Sequence, residues 1–140
     1  MDIRGGCHCG NVTFSLAFPA ERIPARACGC TFCRKHGASW TSNVDARLRI
    51  TVRDAKQLER YNFGTRTADF LVCRTCGVPT VAISRIDDRD YAVVNVNAFE
   101  AIDPALFDRS SSDFEGEATE DRLARRKSRW IADVEVTLTP

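Results

Sequence analysis

Phe70-Leu71-Val72-Cys73-Arg74-Thr75-Cys76-Gly77 is the stretch on which the fold turns. The run from Thr67 to Val72 leads into it and Pro79 to Ser84 leads out. A strand, a Cys-x-x-Cys-Gly turn and a returning strand make a hairpin whose tip carries two thiols. At that spacing both can face one metal ion. Gly77 supplies the backbone freedom that so tight a turn needs.

Outward from this hairpin, the other five cysteines fall into two groups. Cys7-His8-Cys9-Gly10 lies near the start, and Cys28-Gly29-Cys30-Thr31-Phe32-Cys33-Arg34-Lys35-His36-Gly37-Ala38 packs three thiols into six residues. The seven cysteines are thus grouped two, three and two. An odd total fits poorly with a full disulfide set. The first residues, Met1-Asp2-Ile3-Arg4-Gly5-Gly6, lack the apolar run of a signal peptide. A reducing, cytoplasmic setting is therefore expected, in which clustered cysteines more often bind metal or react than form structural disulfides.

Bulk composition agrees. A chain of 140 residues that is 44% hydrophobic and 28% charged reads as one soluble globular domain over residues 1–140. A net charge of +1 leaves no electrostatic footprint for nucleic acid. No stretch approaches the roughly 20 apolar residues of a membrane span.

Short strands dominate the pattern. Val12, Phe14, Leu16 and Phe18 alternate with polar or small residues and would share one face. Pro19 and Pro24 bracket an expected loop, and Arg26-Ala27-Cys28 forms a short strand into the triplet. Residues 31–37 allow a turn or two of helix, stopped by Gly37. Trp40 to Val44, Leu48 to Val52 and Leu58 to Phe63 read as strands, with a turn at Asp54-Ala55-Lys56. Ile86 to Asp90 is charged and is expected to be a loop. Tyr91 to Val96 is apolar on both faces and predicts a central strand. Residues 108–118 are polar and acidic and predict an exposed, mobile loop. A helix is expected from Thr119 through Trp130, and Val134, Val136 and Leu138 predict a closing strand. The sum is a mainly β, mainly antiparallel fold with one or two short helices.

The chemistry follows from how many thiols each group offers. Cys7, Cys9, Cys73 and Cys76 supply four ligands, enough to close a tetrahedral zinc site that would contribute folding free energy outright. Four reduced, partly buried thiols without metal are the alternative. Cys28, Cys30 and Cys33 supply three ligands and leave the fourth position open, as catalytic zinc sites do. Three thiolates leave zinc with a net charge near −1, which suits it to holding an external thiol as thiolate, the nucleophilic form. His36 lies within sequence reach of the triplet but reads more readily as an ordinary exposed histidine. Arg34 and Lys35 could hold an anionic ligand or be plain solvated charges. Cys30-Thr31-Phe32-Cys33 is also a Cys-x-x-Cys of thiol-redox type, although no βαβ pattern accompanies it. Trp40, Phe63, Phe99 and Trp130 could line a substrate pocket or belong to the core.

The three cysteine segments together, from Gly5-Gly6-Cys7-His8-Cys9-Gly10 to Cys73-Arg74-Thr75-Cys76-Gly77, resemble the glutathione-dependent formaldehyde-activating enzyme family in order and spacing. One departure is Gly29, where relatives often carry a polar side chain. The resemblance implies a β-tent of antiparallel sheets. It implies two zinc ions per chain, a structural one on Cys7, Cys9, Cys73 and Cys76 and a catalytic one on Cys28, Cys30 and Cys33. It further implies a carbon–sulfur lyase that joins glutathione to formaldehyde as S-(hydroxymethyl)glutathione. The partners would be a small thiol and a small aldehyde, with no nucleic acid and no membrane. A non-catalytic zinc-binding scaffold or a thiol-redox module is the alternative.

Overall fold

The computed structural model describes residues 1–140. In chain order the strands and helices are β1 (Asp2–Gly6), β2 (Val12–Ala17), β3 (Ile23–Cys28), α1 (Thr31–His36), β4 (Ser39–Thr41), β5 (Arg47–Val52), β6 (Leu58–Tyr61), β7 (Asp69–Cys73), β8 (Pro79–Ile86), β9 (Arg89–Asn95), β10 (Phe99–Glu100), β11 (Phe107–Ser112), α2 (Thr119–Arg129) and β12 (Asp133–Leu138). They form a five-stranded sheet in the order β10-β1-β2-β5-β12 and a seven-stranded sheet in the order β11-β3-β4-β9-β8-β7-β6. The fold is mainly β with two helices, neither long and apolar enough to cross a membrane.

Alternation along the strands explains how the sheets meet. Val12, Phe14 and Leu16 of β2 are buried, as are Leu48, Ile50 and Val52 of its neighbour β5. They pack against Leu71, Val81, Ala92 and Val94 of the larger sheet in a core of 22 buried residues. The opposite face of the larger sheet carries a second, smaller core of Cys33, Trp40, Ala82, Tyr91, Val93 and Trp130, among others. Strand β9 therefore buries both faces, Ala92 and Val94 on one side and Tyr91 and Val93 on the other, as its doubly apolar sequence requires.

Four expectations need correction. Residues 107–112 are not part of a loop; they form β11, paired in parallel with β3 from Phe107↔Ile23 to Ser112↔Cys28. Backbone pairing at a sheet edge asks nothing of the side chains, so a polar strand can hold there. A second parallel ladder joins β12 to β5, so antiparallel pairing is predominant but not universal. Pro24 lies inside β3, which is tolerated because β4 pairs only with Arg26 and Ala27 and leaves that flank of Pro24 free. Finally, β8 and β9 pair through Ile86↔Arg89, and the expected loop shrinks to the two-residue turn Asp87-Asp88. Both residues have positive φ, 50° and 63°, the backbone shape that matches the twist of a tight hairpin.

A cysteine trio facing an arginine-lined cavity

The outer cysteines converge from two directions. Cys7 and Cys9 sit on the connection between β1 and β2; Cys73 ends β7 and Cys76 lies in the turn to β8. All four sulfur atoms lie within 4.8 Å of one another. The Sγ atoms of Cys7 and Cys9 are 3.8 Å apart, and those of Cys9 and Cys73 are 3.5 Å apart. A tetrahedron with Zn–S bonds of about 2.3 Å has edges of about 3.8 Å, so the donor set fits zinc. Backbone N–H groups of Val12 and Cys76 donate to Cys7 Sγ and Cys73 Sγ at 3.3 and 3.5 Å. The two turns are matched: Gly10 and Gly77, one residue past Cys9 and Cys76, have φ of 83° and 81°, a shape that side-chain-bearing residues resist. Asn11 clamps the first turn by donating to Asp54 O and accepting from Asp54 N–H. Burial pushes the Cys7 thiol up to about 11. Burial also acts on Cys76, but the N–H groups of Cys9 and Val78 outweigh it and bring that thiol down to about 6.

The trio is built differently. Cys28 ends β3, Cys30 caps the N-terminus of α1 and Cys33 lies in its first turn. Cys33 N–H donates to Cys30 Sγ at 3.4 Å, and the indole Nε1–H of Trp40 donates to Cys33 Sγ at 3.3 Å. Two further bonds fix the segment: Gly29 N–H to Ser112 O at 2.8 Å and Asn97 Nδ2 to Gly37 O at 2.7 Å. The three sulfurs also lie within 4.8 Å of one another, and no histidine or carboxylate joins them. The interaction with Cys33 draws the Cys28 thiol down to about 5 against its burial, aided by the Cys30 backbone and the charge of Arg26. Cys33 is pushed far up by the same contact and by burial. Three convergent sulfurs and an open side can hold a metal with one position to spare.

That open side faces a cavity of about 840 Å³, lined by all three trio cysteines and by none of the quartet. One wall is aromatic. Phe32 lies 4.7, 5.3 and 5.4 Å, ring centre to ring centre, from Phe70, Tyr61 and Phe63. Trp40 continues the wall at 5.6 Å from Phe70. The lining also includes Arg26 of β3, Arg122, Arg125 and Arg126 of α2, and Trp130. Trp40, Phe63 and Trp130 therefore line the cavity as the sequence allowed. Phe99 does not: it packs between Phe14 and Phe107 at 6.0 and 6.2 Å, beside the main core. His36 rests edge-on against Phe32 at 4.5 Å, exposed and outside the sulfur cluster. Lys35 reaches the cavity and Arg34 does not. Sequence reasoning missed Phe32, Tyr61, Phe70 and the arginines. The aromatic residues lie close to the cysteines in sequence, but nothing in the sequence links Arg122, Arg125 and Arg126 to the cysteine trio about 90 residues earlier.

The sequence model for the glutathione-dependent formaldehyde-activating enzyme family matches residues 2–115 of this chain. The chain belongs to that family. A crystal structure of a protein from Rhodobacter sphaeroides is also similar, with 38% identity and a TM-score of 0.54 over 73% of this chain and 92% of that one. Both cysteine clusters lie inside the span matched to the glutathione-dependent formaldehyde-activating enzyme family, whereas α2 and its arginines lie beyond it. Both clusters could hold metal ions.

Proposed function

We propose that the chain is a zinc-dependent carbon–sulfur lyase of the cytoplasm, joining glutathione or a similar thiol to formaldehyde or another small aldehyde. Cys7, Cys9, Cys73 and Cys76 would hold one zinc for shape, and Cys28, Cys30 and Cys33 a second for reaction. The observation that carries this division is the cavity: the trio opens onto it and the quartet does not. Zinc on three thiolates would supply a position that holds an external thiol as its nucleophilic thiolate. That all seven cysteines are free thiols agrees with a reducing compartment.

The chain's own residues do the rest. Trp40 orients Cys33 through its indole N–H. Phe32, Tyr61, Phe63 and Phe70 exclude water from one side of the thiol and leave room for a small carbonyl compound. In the reaction a C–S bond forms between the thiol sulfur and the aldehyde carbon, the S–H bond and the C=O π bond break, and the proton given up by the thiol is balanced by the one taken up at the oxygen. Thiols add to formaldehyde unaided, so the gain comes from positioning. The test is the rate of S-(hydroxymethyl)glutathione formation from ¹³C-formaldehyde, followed by exchange NMR above the spontaneous rate. Zinc-loaded protein is expected to accelerate exchange. Cys30→Ser is expected to abolish the acceleration while the far-UV circular dichroism is unchanged. Wild-type protein that gives no acceleration at two zinc ions per chain would overturn the proposal in favour of a binding scaffold.

A further inference from the structure

The arginine wall has more positive charge and more unpaired donors than the fold uses. Arg126 is 7% exposed and sits in no ion pair. Its Nη1 donates to Thr67 Oγ1 at 2.8 Å and Ser84 Oγ at 3.1 Å, both neutral, and its buried Nε has no partner. The guanidinium lies 4.8 Å over the Trp130 ring. Arg122 Nε is also buried and unbonded, since the Glu117 carboxylate is 3.9 Å away. Ser112 Oγ and Trp130 Nε1 complete a set of four buried, unsatisfied polar atoms on cavity-lining residues. A native fold rarely leaves such atoms unpaired without a ligand or water to meet them.

The charge count points the same way. Arg125 stacks 3.6 Å over the Phe114 ring, and Arg26 meets that ring at 5.9 Å. Three guanidinium groups, of Arg122, Arg125 and Arg126, thus gather around one half-buried carboxylate, Glu117, which is bound by Arg125 at 3.1 Å, and Arg26 joins them at the Phe114 ring. Asp113 and Glu115 also line the cavity but are exposed, where water screens them. Burial and the repulsion of Arg122 and Arg125 hold Arg126 down to about 10, so its charge costs folding free energy as it stands. Like charges held together against their own repulsion mark a site that expects an anion.

We propose that Arg122, Arg125 and Arg126, with Arg26, form a carboxylate-binding subsite in the cavity onto which the cysteine trio opens, and that this subsite selects thiols that carry a carboxylate. The inference rests on the thiol-binding reading above and narrows its substrate class. Glutathione, with two carboxylates remote from its thiol, has the required chemistry; its esters do not. Guanidinium binds carboxylate through paired, charge-assisted hydrogen bonds, and Arg126 and Arg122, both of which line the cavity, each keep a buried Nε–H without a partner. Arg122, Arg125 and Arg126 lie on α2, outside the span matched to the family, and Arg26 lies inside it.

The test compares four ligands by calorimetric titration into zinc-loaded protein: glutathione, its diethyl ester, S-methylglutathione and the diethyl ester of S-methylglutathione. Intrinsic fluorescence of Trp40 and Trp130, both of which line the cavity, provides a second readout. Each acid is expected to bind about tenfold more tightly than its ester, the scale of one charge-assisted pair. Arg125→Gln should bring that ratio toward one. Glu117→Gln, which removes the carboxylate now held by the cluster, should raise it; damage to the fold would not tighten binding. Equal affinity of acid and ester, no binding of any of the four, or a fall of the ratio in both variants overturns the subsite. Inorganic phosphate that displaces S-methylglutathione at equal concentration would reassign the arginines to a free oxoanion and also overturn it. If the acids outbind their esters but the free thiol adds nothing over S-methyl, the subsite stands and the thiol reading of the trio fails.

Discussion

Trp40 shows how one side chain can serve both core and chemistry. Its ring is 3% exposed and packs in the smaller core, which is what a large aromatic in a strand suggests. Its indole N–H nevertheless spends its one hydrogen bond on Cys33 Sγ. A donor to a thiolate stabilises the charged form and holds the sulfur in place, the role that outer hydrogen bonds play around metal sites. Trp40→Phe keeps most of the packing and removes the donor. The expected result is a loss of about tenfold in zinc affinity at the trio, within the range such outer partners show, with no change at the quartet. Chelator competition with a chromogenic zinc indicator would measure it. At this scale the seven thiols were legible because ligand spacing is local and metal geometry is demanding. The Trp40–Cys33 bond was not, since seven residues of chain must first fold through α1 and back.

Among the elements, β2, β7, β8 and β9 follow from alternation and from the cysteine hairpin, where hydrophobic pattern and turn agree. Strand β11 does not follow from anything nearby. Its partner β3 lies 84 residues earlier, and Arg109-Ser110-Ser111-Ser112 carries no apolar alternation to announce it. Helix α2 was legible as a helix but not as a cavity wall, because Arg122, Arg125 and Arg126 look like a solvated face until Glu117 and Phe114 fold over them. That fold-over has a pH signature. The hydrogen bond from Arg125 holds the Glu117 carboxyl below its usual range against burial, with the charges of Arg125, Arg122 and Arg126 adding to it. A carboxylate with a lowered folded pKa adds stability above its unfolded value of about 4.3, and that stability is lost as pH falls through the folded pKa. Glu117→Gln should therefore lower the melting temperature at pH 7. The gap between variant and wild type should close as pH falls below the ordinary glutamate range. Calorimetric melts from pH 7 to pH 3 would check the convergence; a constant gap would mean that the loss is packing rather than charge.

Across the whole molecule, the two cysteine clusters differ most in what they tie together. Cys7 and Cys9 belong to a turn of the five-stranded sheet, and Cys73 and Cys76 to a hairpin of the seven-stranded one, so a metal on the quartet bolts the sheets across the main core. The thiols of Cys9 and Cys73 meet across 64 residues of chain. Closing so long a loop removes much of the freedom of the unfolded state, by the same argument that applies to cross-links. The trio spans six residues and closes no loop of consequence, so a metal held there would add little to the fold. The open side of the trio would also leave such a metal exposed to competing ligands through the cavity. Stepwise chelation should therefore proceed in two stages. The first zinc should leave with the far-UV circular dichroism intact and any thiol-dependent activity gone. The second should leave only with cooperative unfolding. Cys76→Ser is expected to show the second behaviour from the outset and Cys30→Ser the first. Loss of both metals in one cooperative step would show that the clusters are a single structural unit, and the separation of shape from reaction would fail with it.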